Sequence, residues 1–222
     1  MARPDADTGI PRPLRGALLL GGTTVLAFAL LALVHQATRG RILEVERARQ
    51  MQAVEQVLDG VRYDNDLLLD AVTVTDRDLL GTTAPVTVYR ATLDGEPVAA
   101  VLAPTAPDGY SGSIRLLVGI GVDGRLLGVR VQSHRETPGL GDLIETGKSD
   151  WILKFTGHSL GDPPLERWKV RKDGGDFDQF TGATVTPRAV VGAVANALLY
   201  FEGHREWIFS ASATPADKRI DP

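Results

Sequence analysis

The sequence predicts an α+β domain carried behind a single membrane-spanning helix. Three observations lead there. Residues 16–34, GALLLGGTTVLAFALLALV, run nineteen positions without a charge. As a helix that stretch covers roughly 28 Å, close to the hydrocarbon thickness of a bilayer. Two pairs of apolar runs, VTVYRATL with PVAAVLAP and SIRLLVGIGV with LLGVRVQSH, each flank an Asp-Gly dipeptide, the short-range mark of a β-hairpin. Behind them TPRAVVGAVANALLYFE, residues 186–202, reads as one helix. Strands in a run followed by a helix give an α+β arrangement, in which an antiparallel or mixed sheet packs against helices.

Taken in order, residues 1–15 form an N-terminal tail and 16–35 the transmembrane anchor. A cleaved signal peptide normally has an apolar region of only about 7–15 residues and a small-x-small cleavage site, for which LALVHQATRG has only a poor candidate. A retained anchor in membrane lipid is the better reading. Arg3, Arg12 and Arg15 precede the span and Arg39, Arg41, Arg47 and Arg49 follow it, so charge alone does not orient it. A short leader before a long domain is the layout of a signal anchor, which places the domain outside. Residues 36–60 read as a stalk helix, with Leu43, Arg47, Met51, Val54 and Leu58 near a helical period and Gly60 at the C-cap. The domain occupies 61–208. Its meander covers about 86–134, turning at Asp94-Gly95 and Asp123-Gly124. Thr186 is expected as N-cap of the last helix, Pro187 at its first position and Gly203 at its end. Residues 209–222 form a C-terminal tail in which no motif is readable.

Composition narrows the chemistry. A net charge of −4 and a pI near 5.6 argue against nucleic acid, whose phosphates ask for a basic face. The chain has no cysteine, which excludes disulfides, thiolate zinc sites and iron–sulfur clusters bound by this chain. His35, His134, His158 and His204 lack metal-ligand spacing, so no metal site is expected. Gly119-x-Gly121-x-x-Gly124 matches the dinucleotide fingerprint by letter. That motif must open a helix, whereas here it ends in a hairpin turn with a strand behind it.

The stretch most suggestive of chemistry is FDQFTGATVTPRAVVGAV, residues 177–194. Gly182 permits backbone conformations closed to other residues and a close approach by a bulky group. Thr181 and Thr184 supply hydroxyls, and the free N–H groups of the helix that follows suit a phosphate. Lys169, Arg171 and Lys172 lie just upstream and suit an anion as well. TGAT alone fits a plain capping turn. The longer pattern Asp-x-x-(Ser/Thr)-Gly-Ala-Thr arises by chance in roughly one chain per thousand of this length. A second segment, SHRETPGLGDLIETGKSDW at 133–151, is turn-rich, and its glycines permit close approach to a flat ligand.

Asp178-Gln179-Phe180-Thr181-Gly182-Ala183-Thr184 resembles the flavinylation motif of the FMN-binding domain family. The resemblance implies that a flavin transferase joins FMN through its phosphate to the hydroxyl of Thr184, with Asp178, Thr181, Gly182 and Ala183 forming the motif around it. HRETPGLGD resembles the family's E-T-P-G-L-G loop, which implies that Glu136, Thr137, Gly139 and Leu140 lie against the flavin ring. PDGYSGSI, at 107–114, loosely resembles the Gly-Tyr segment before the family's central strands. With one anchor, and with His134 and Asp142 flanking the second loop, the chain is most similar to the RnfG branch, found in Rnf complexes. That branch implies an electron carrier with no complete active site of its own. It would relay electrons on the outer, periplasmic face of a bacterial inner membrane, with the other membrane proteins of an Rnf-type ferredoxin:NAD oxidoreductase as partners. Two other readings use the same residues: the flavin-bearing C component of the sodium-pumping quinone reductase, and a flavin-free anchored interaction module.

Overall fold

The computed structural model of the protein describes residues 12–58 and 60–213. Most of both predicted tails, 1–11 and 214–222, therefore lies outside the described residues. The chain divides into two compact units, Met1–Arg49 and Gln50–Pro222.

Helix α1 (Arg12–Glu55) accounts for the described part of the first unit and ends in the second, so the predicted anchor and stalk are segments of one helix. Its most apolar window has a mean hydropathy of 2.1, and it is the one helix among the described residues long and apolar enough to cross a membrane. Thr23 and Thr24 donate their hydroxyls to the Leu20 carbonyl, at 2.9 and 2.8 Å. Thr38 donates to the Val34 carbonyl at 2.8 Å. Each hydroxyl is satisfied within the helix, which is what an apolar solvent requires of a polar group. The helix stops at Glu55, short of the predicted end. Tighter bonds from Val57 to Val54 and from Leu58 to Glu55 carry the chain on to Gly60, which turns it at φ +80.

The second unit is built on one antiparallel sheet. Its elements are β1 (Ala71–Asp76), a one-turn helix α2 (Arg77–Leu80), β2 (Thr82–Leu93), β3 (Glu96–Leu102), β4 (Thr105–Ala106), β5 (Ile114–Gly121), β6 (Leu126–Ser133) and helix α3 (Val185–Ser210). Four short 3₁₀ turns punctuate the long stretch between β6 and α3. The pairing runs β1–β2–β3–β5, with β4 sharing the β3 edge of β5 and β6 on its other edge. The first predicted hairpin turns on Asp94 at φ 54 and Gly95 at φ 82, the double positive φ of a type I′ turn. At the second, the Gly121 N–H bonds the Arg125 carbonyl across the turn, and Gly124 sits at φ +83.

Both faces of the sheet are covered, so β5 is buried at seven of its eight residues. Leu116, Val118 and Ile120 join the larger core, to which α3 contributes Val190, Val194, Leu198 and Phe201. Leu117, with Ala99 and Val101 of β3, belongs to a second cluster containing Val54, Val57, Leu58 and Leu67. Gly119 and Gly128 face each other across β5 and β6, and a Cβ at Gly119 would overlap the carbonyl oxygen of Val57. Here is the reason for the first glycine of the false fingerprint: the backbone of the 54–58 segment lies directly on the sheet.

Three details depart from expectation. β1 and α2 precede the predicted meander. α2 carries its own punctuation: Asp76 accepts from the N–H groups of Asp78 and Leu79, and Gly81 closes it at φ +69. α3 begins at Val185 with Thr184, not Thr186, in the N-cap position, which puts Pro187 in the first turn at the third residue. It also runs through Gly203 to Ser210. Its end is set by the buried Arg90 of β2, whose guanidinium donates to the carbonyls of Ile208, at 3.1 Å, and Ala211, at 2.6 Å, while pairing with Asp70. A cation at a helix C-terminus satisfies exposed carbonyls and the helix dipole together.

Candidate functional site

Two loops far apart in the chain, 136–141 and 181–186, meet at a cavity of about 300 Å³. Its lining is Tyr110, Glu136, Thr137, Leu140 and Gly141 on one side, and Gly182 through Thr186 on the other. Each loop is shaped locally. The Leu140 and Gly141 N–H groups fold back on the Thr137 carbonyl, at 3.2 and 3.0 Å. Gly139 takes φ +78, and its N–H donates to Asp142 Oδ1 at 2.7 Å. In the other loop the Ala183 N–H bonds the Phe180 carbonyl at 3.1 Å with Gly182 at φ +84, the third position of a type II turn. A Cβ added to Gly182 would come within 3.8 Å of Leu140 Cδ2, which measures how closely the loops approach.

The carboxylate of Glu136 joins the walls. It is 4% exposed. Oε1 accepts from the Ser111 N–H at 2.9 Å, and Oε2 accepts from the Thr186 hydroxyl at the start of α3. The fit is tight: a Cβ on Gly141 would sit 2.8 Å from Glu136 Cβ, and one on Gly109 would sit 3.0 Å from Oε1. His134 supports the carboxylate from behind. Its Nδ1 accepts the Glu136 N–H at 3.0 Å, which leaves Nε2 to donate to Glu145 Oε1 at 2.7 Å.

Thr184 lines the cavity half-buried, and its hydroxyl makes no capping bond to α3 although it occupies the N-cap position. Pro187 has no N–H, so the helix presents its first donors at Val185 and Thr186, both on the cavity wall. The result is a hydroxyl beside a helix N-terminus in a glycine-lined recess, which fits a phosphate ester in chemistry and in space. Tyr110, 72% exposed, and Leu140, 45% exposed, give the mouth apolar surface suited to a flat ring.

Of the predicted site residues, Glu136, Thr137, Leu140, Gly182, Ala183 and Thr184 line this cavity. Gly139 shapes its loop from outside the lining, and Thr181 is exposed at the turn. Asp178 is elsewhere. It lines a different recess with Trp151, Lys154 and Arg171, and its carboxyl is held below the usual carboxylate range by the Lys154 ammonium and, more weakly, by Arg171. Arg171, expected to be available to an anion, is therefore engaged with Asp178, at 3.1 Å. Tyr110, Gly141, Val185 and Thr186 complete the cavity, and none of them belongs to the predicted set. Among the described residues no group of three or more His, Asp or Glu side chains is placed to hold a metal ion.

Comparison with known proteins gives the arrangement a family. Residues 109–199 match the FMN-binding domain model, and residues 13–57 match the RnfG N-terminal region. The G subunit of the ion-translocating oxidoreductase complex of Pseudomonas aeruginosa (strain UCBPP-PA14) is 53% identical over 193 residues, 87% of this chain and 90% of the relative. The chain belongs to the RnfG family. Its relatives of the same description in Shewanella piezotolerans and Pseudoalteromonas atlantica are 45% and 47% identical, covering 90% and 89% of this chain and 95% and 92% of theirs. Both loops of the cavity and Tyr110 fall inside the segment that matches the FMN-binding domain. The apolar part of α1 falls inside the segment shared with the RnfG N-terminal region.

Proposed function

We propose that this chain is the covalent-FMN electron carrier of a membrane-bound, Rnf-type ion-translocating oxidoreductase complex, held by α1 in the bacterial inner membrane with its domain on the periplasmic side. The observation that carries the reading is the Thr184 hydroxyl, uncapped and on the cavity wall beside the first donors of α3. Joining a free phosphate to a hydroxyl in water requires loss of water and is uphill, so the flavin donor must be a phosphoanhydride, a flavin dinucleotide. The Thr184 oxygen forms the new bond to the flavin-bearing phosphorus, the anhydride bond breaks, the nucleotide monophosphate leaves and the hydroxyl proton passes to solvent. A flavin transferase supplies the catalysis.

When bound, the flavin supplies the redox chemistry. The chain's own residues position it. Thr184 tethers the phosphate end, Val185 and Thr186 offer N–H groups to the phosphate oxygens, and Leu140 and Tyr110 shield the ring from water. A tether removes the recurring cost of association, which matters outside the cytosol where a lost cofactor is not replaced. The remaining proteins of the complex provide the electron donor, the acceptor and the ion pathway, since one apolar helix provides no charged route through a bilayer.

The test is intact mass and in-gel flavin fluorescence of the denatured full-length chain, co-expressed with a flavin transferase. The expected result is a mass gain of one esterified FMN, lost in Thr184→Ala. Because the hydroxyl caps nothing, that variant should melt within about 0.5 kcal/mol of the parent. A fluorescent Thr184→Ala band would move the attachment point elsewhere.

A further inference from the structure

Asp178 opens the motif yet does not touch the cavity that the motif builds. Its backbone carbonyl accepts the indole N–H of the buried Trp151 at 2.8 Å. Its carboxylate takes the Lys154 ammonium on Oδ2 at 2.8 Å and Arg171 Nε on Oδ1 at 3.1 Å. The next two residues are held as well. The Gln179 side-chain oxygen accepts the Lys172 N–H at 3.3 Å, and Phe180 packs edge-on against Trp151 at 5.2 Å between ring centroids. Arg171 is itself fixed beside the motif, because its N–H donates to the Phe177 carbonyl at 2.8 Å. Three consecutive positions are thus fastened immediately before the turn at 180–183 that delivers Thr184.

We propose that Lys154 and Arg171 are positioning residues for the attachment loop, acting on Thr184 through Asp178. On this account the motif aspartate serves its own chain and is not read directly by the transferase or the flavin. The proposal rests on Thr184 being the attachment point. Exposed ion pairs contribute little singly, and both cations are more than half exposed. Here two of them share one carboxylate whose main chain is already pinned by Trp151, so little extra ordering is needed for each to form. What they fix is the place where the Phe180–Ala183 turn begins.

The experiment measures transfer of FMN from flavin adenine dinucleotide to the detergent-solubilised full-length chain by a flavin transferase, as the rate of appearance of in-gel fluorescence. The variants are Asp178→Asn, the double variant Lys154→Met/Arg171→Met, the three changes together, and the charge swap Lys154→Asp/Asp178→Lys made with Arg171→Met, so that Arg171 does not face the new ammonium. The expected result is that Asp178→Asn and the double variant each lower kcat/KM by about tenfold, equivalent to ~1.4 kcal/mol of barrier. Combining all three changes should add nothing, since they break one device. The charge swap should recover part of the loss, and amide exchange at Ala183 should speed up in every variant that labels slowly. A double variant that labels at the parental rate beside a slow Asp178→Asn overturns the proposal, for the aspartate is then read from outside. A folded charge swap no better than Asp178→Asn overturns it too. If the parent chain itself takes no label, the attachment reading falls and the proposal with it, a failure separate from the other two.

Discussion

Glu136 shows how a residue read as a ligand contact acquires a second duty once its neighbours are known. Its loop is legible as turn-forming from Pro138, Gly139 and Gly141, but nothing in the spacing says that one carboxylate spends both oxygens on Ser111 and Thr186. Glu136→Ala would leave the buried Thr186 hydroxyl and the Ser111 N–H without an acceptor and open a void beside Gly109 and Gly141. We expect it to cost about 3 kcal/mol in urea denaturation of the flavin-free chain. Glu136→Gln keeps the volume and one acceptor, and should cost about 1 kcal/mol. Equal losses in the two variants would mean that the charge, and not the hydrogen bonding, holds the walls together. Thr184 lies at the opposite extreme. The turn before it is local and legible, although the sequence put the start of the helix two residues later.

At the scale of elements, turns are readable and lengths are not. Asp94-Gly95 and Asp123-Gly124 announce their hairpins because the φ values they need are properties of those residues alone. Gly203 does not end α3, because the true stop depends on Arg90, which lies 118 residues before Ile208. Arg90→Met should unravel the last turn of α3, raise amide exchange over 205–210 and cost about 3 kcal/mol, since Asp70 loses its buried partner. The connection into α3 gives a prediction in pH. The carboxyls of Asp173, Asp176 and Asp178 are held below their ordinary value by Arg188, Arg167 and Lys154 respectively. A carboxyl depressed in the folded state contributes stability that is fully present above its unfolded pKa and fades as pH falls through the folded one. The three ion pairs should hold from neutrality down to about 3.8 and weaken below it, loosening the connection, as followed by fluorescence of Trp151 in the Asp178 recess and of Trp168 against Phe177.

For the whole molecule, the two units predict where the chain tolerates a cut. A fragment beginning at Gln50 retains Val54, Val57 and Leu58 on the sheet and should fold with the cavity intact. One beginning at Val61 uncovers the Gly119–Gly128 face and the apolar side chains around it, and should aggregate or melt far lower, by size-exclusion chromatography and calorimetry. Equal stability of the two fragments would show that the 54–58 segment adds nothing to the domain.

The sequence by itself determined the apolar span, the hairpins and the α+β class, and it singled out the loop at Thr184. Each is written in a short window, as hydropathy, as a turn residue or as a motif. Only the tertiary structure decided that residues 136–141 and 181–186 share one cavity, that Tyr110 and Thr186 belong to it, and that Asp178 does not. Those assignments depend on contacts across tens of residues, such as Thr186 with Glu136 and Asp178 with Lys154. Packing sets such contacts, and no local pattern encodes them.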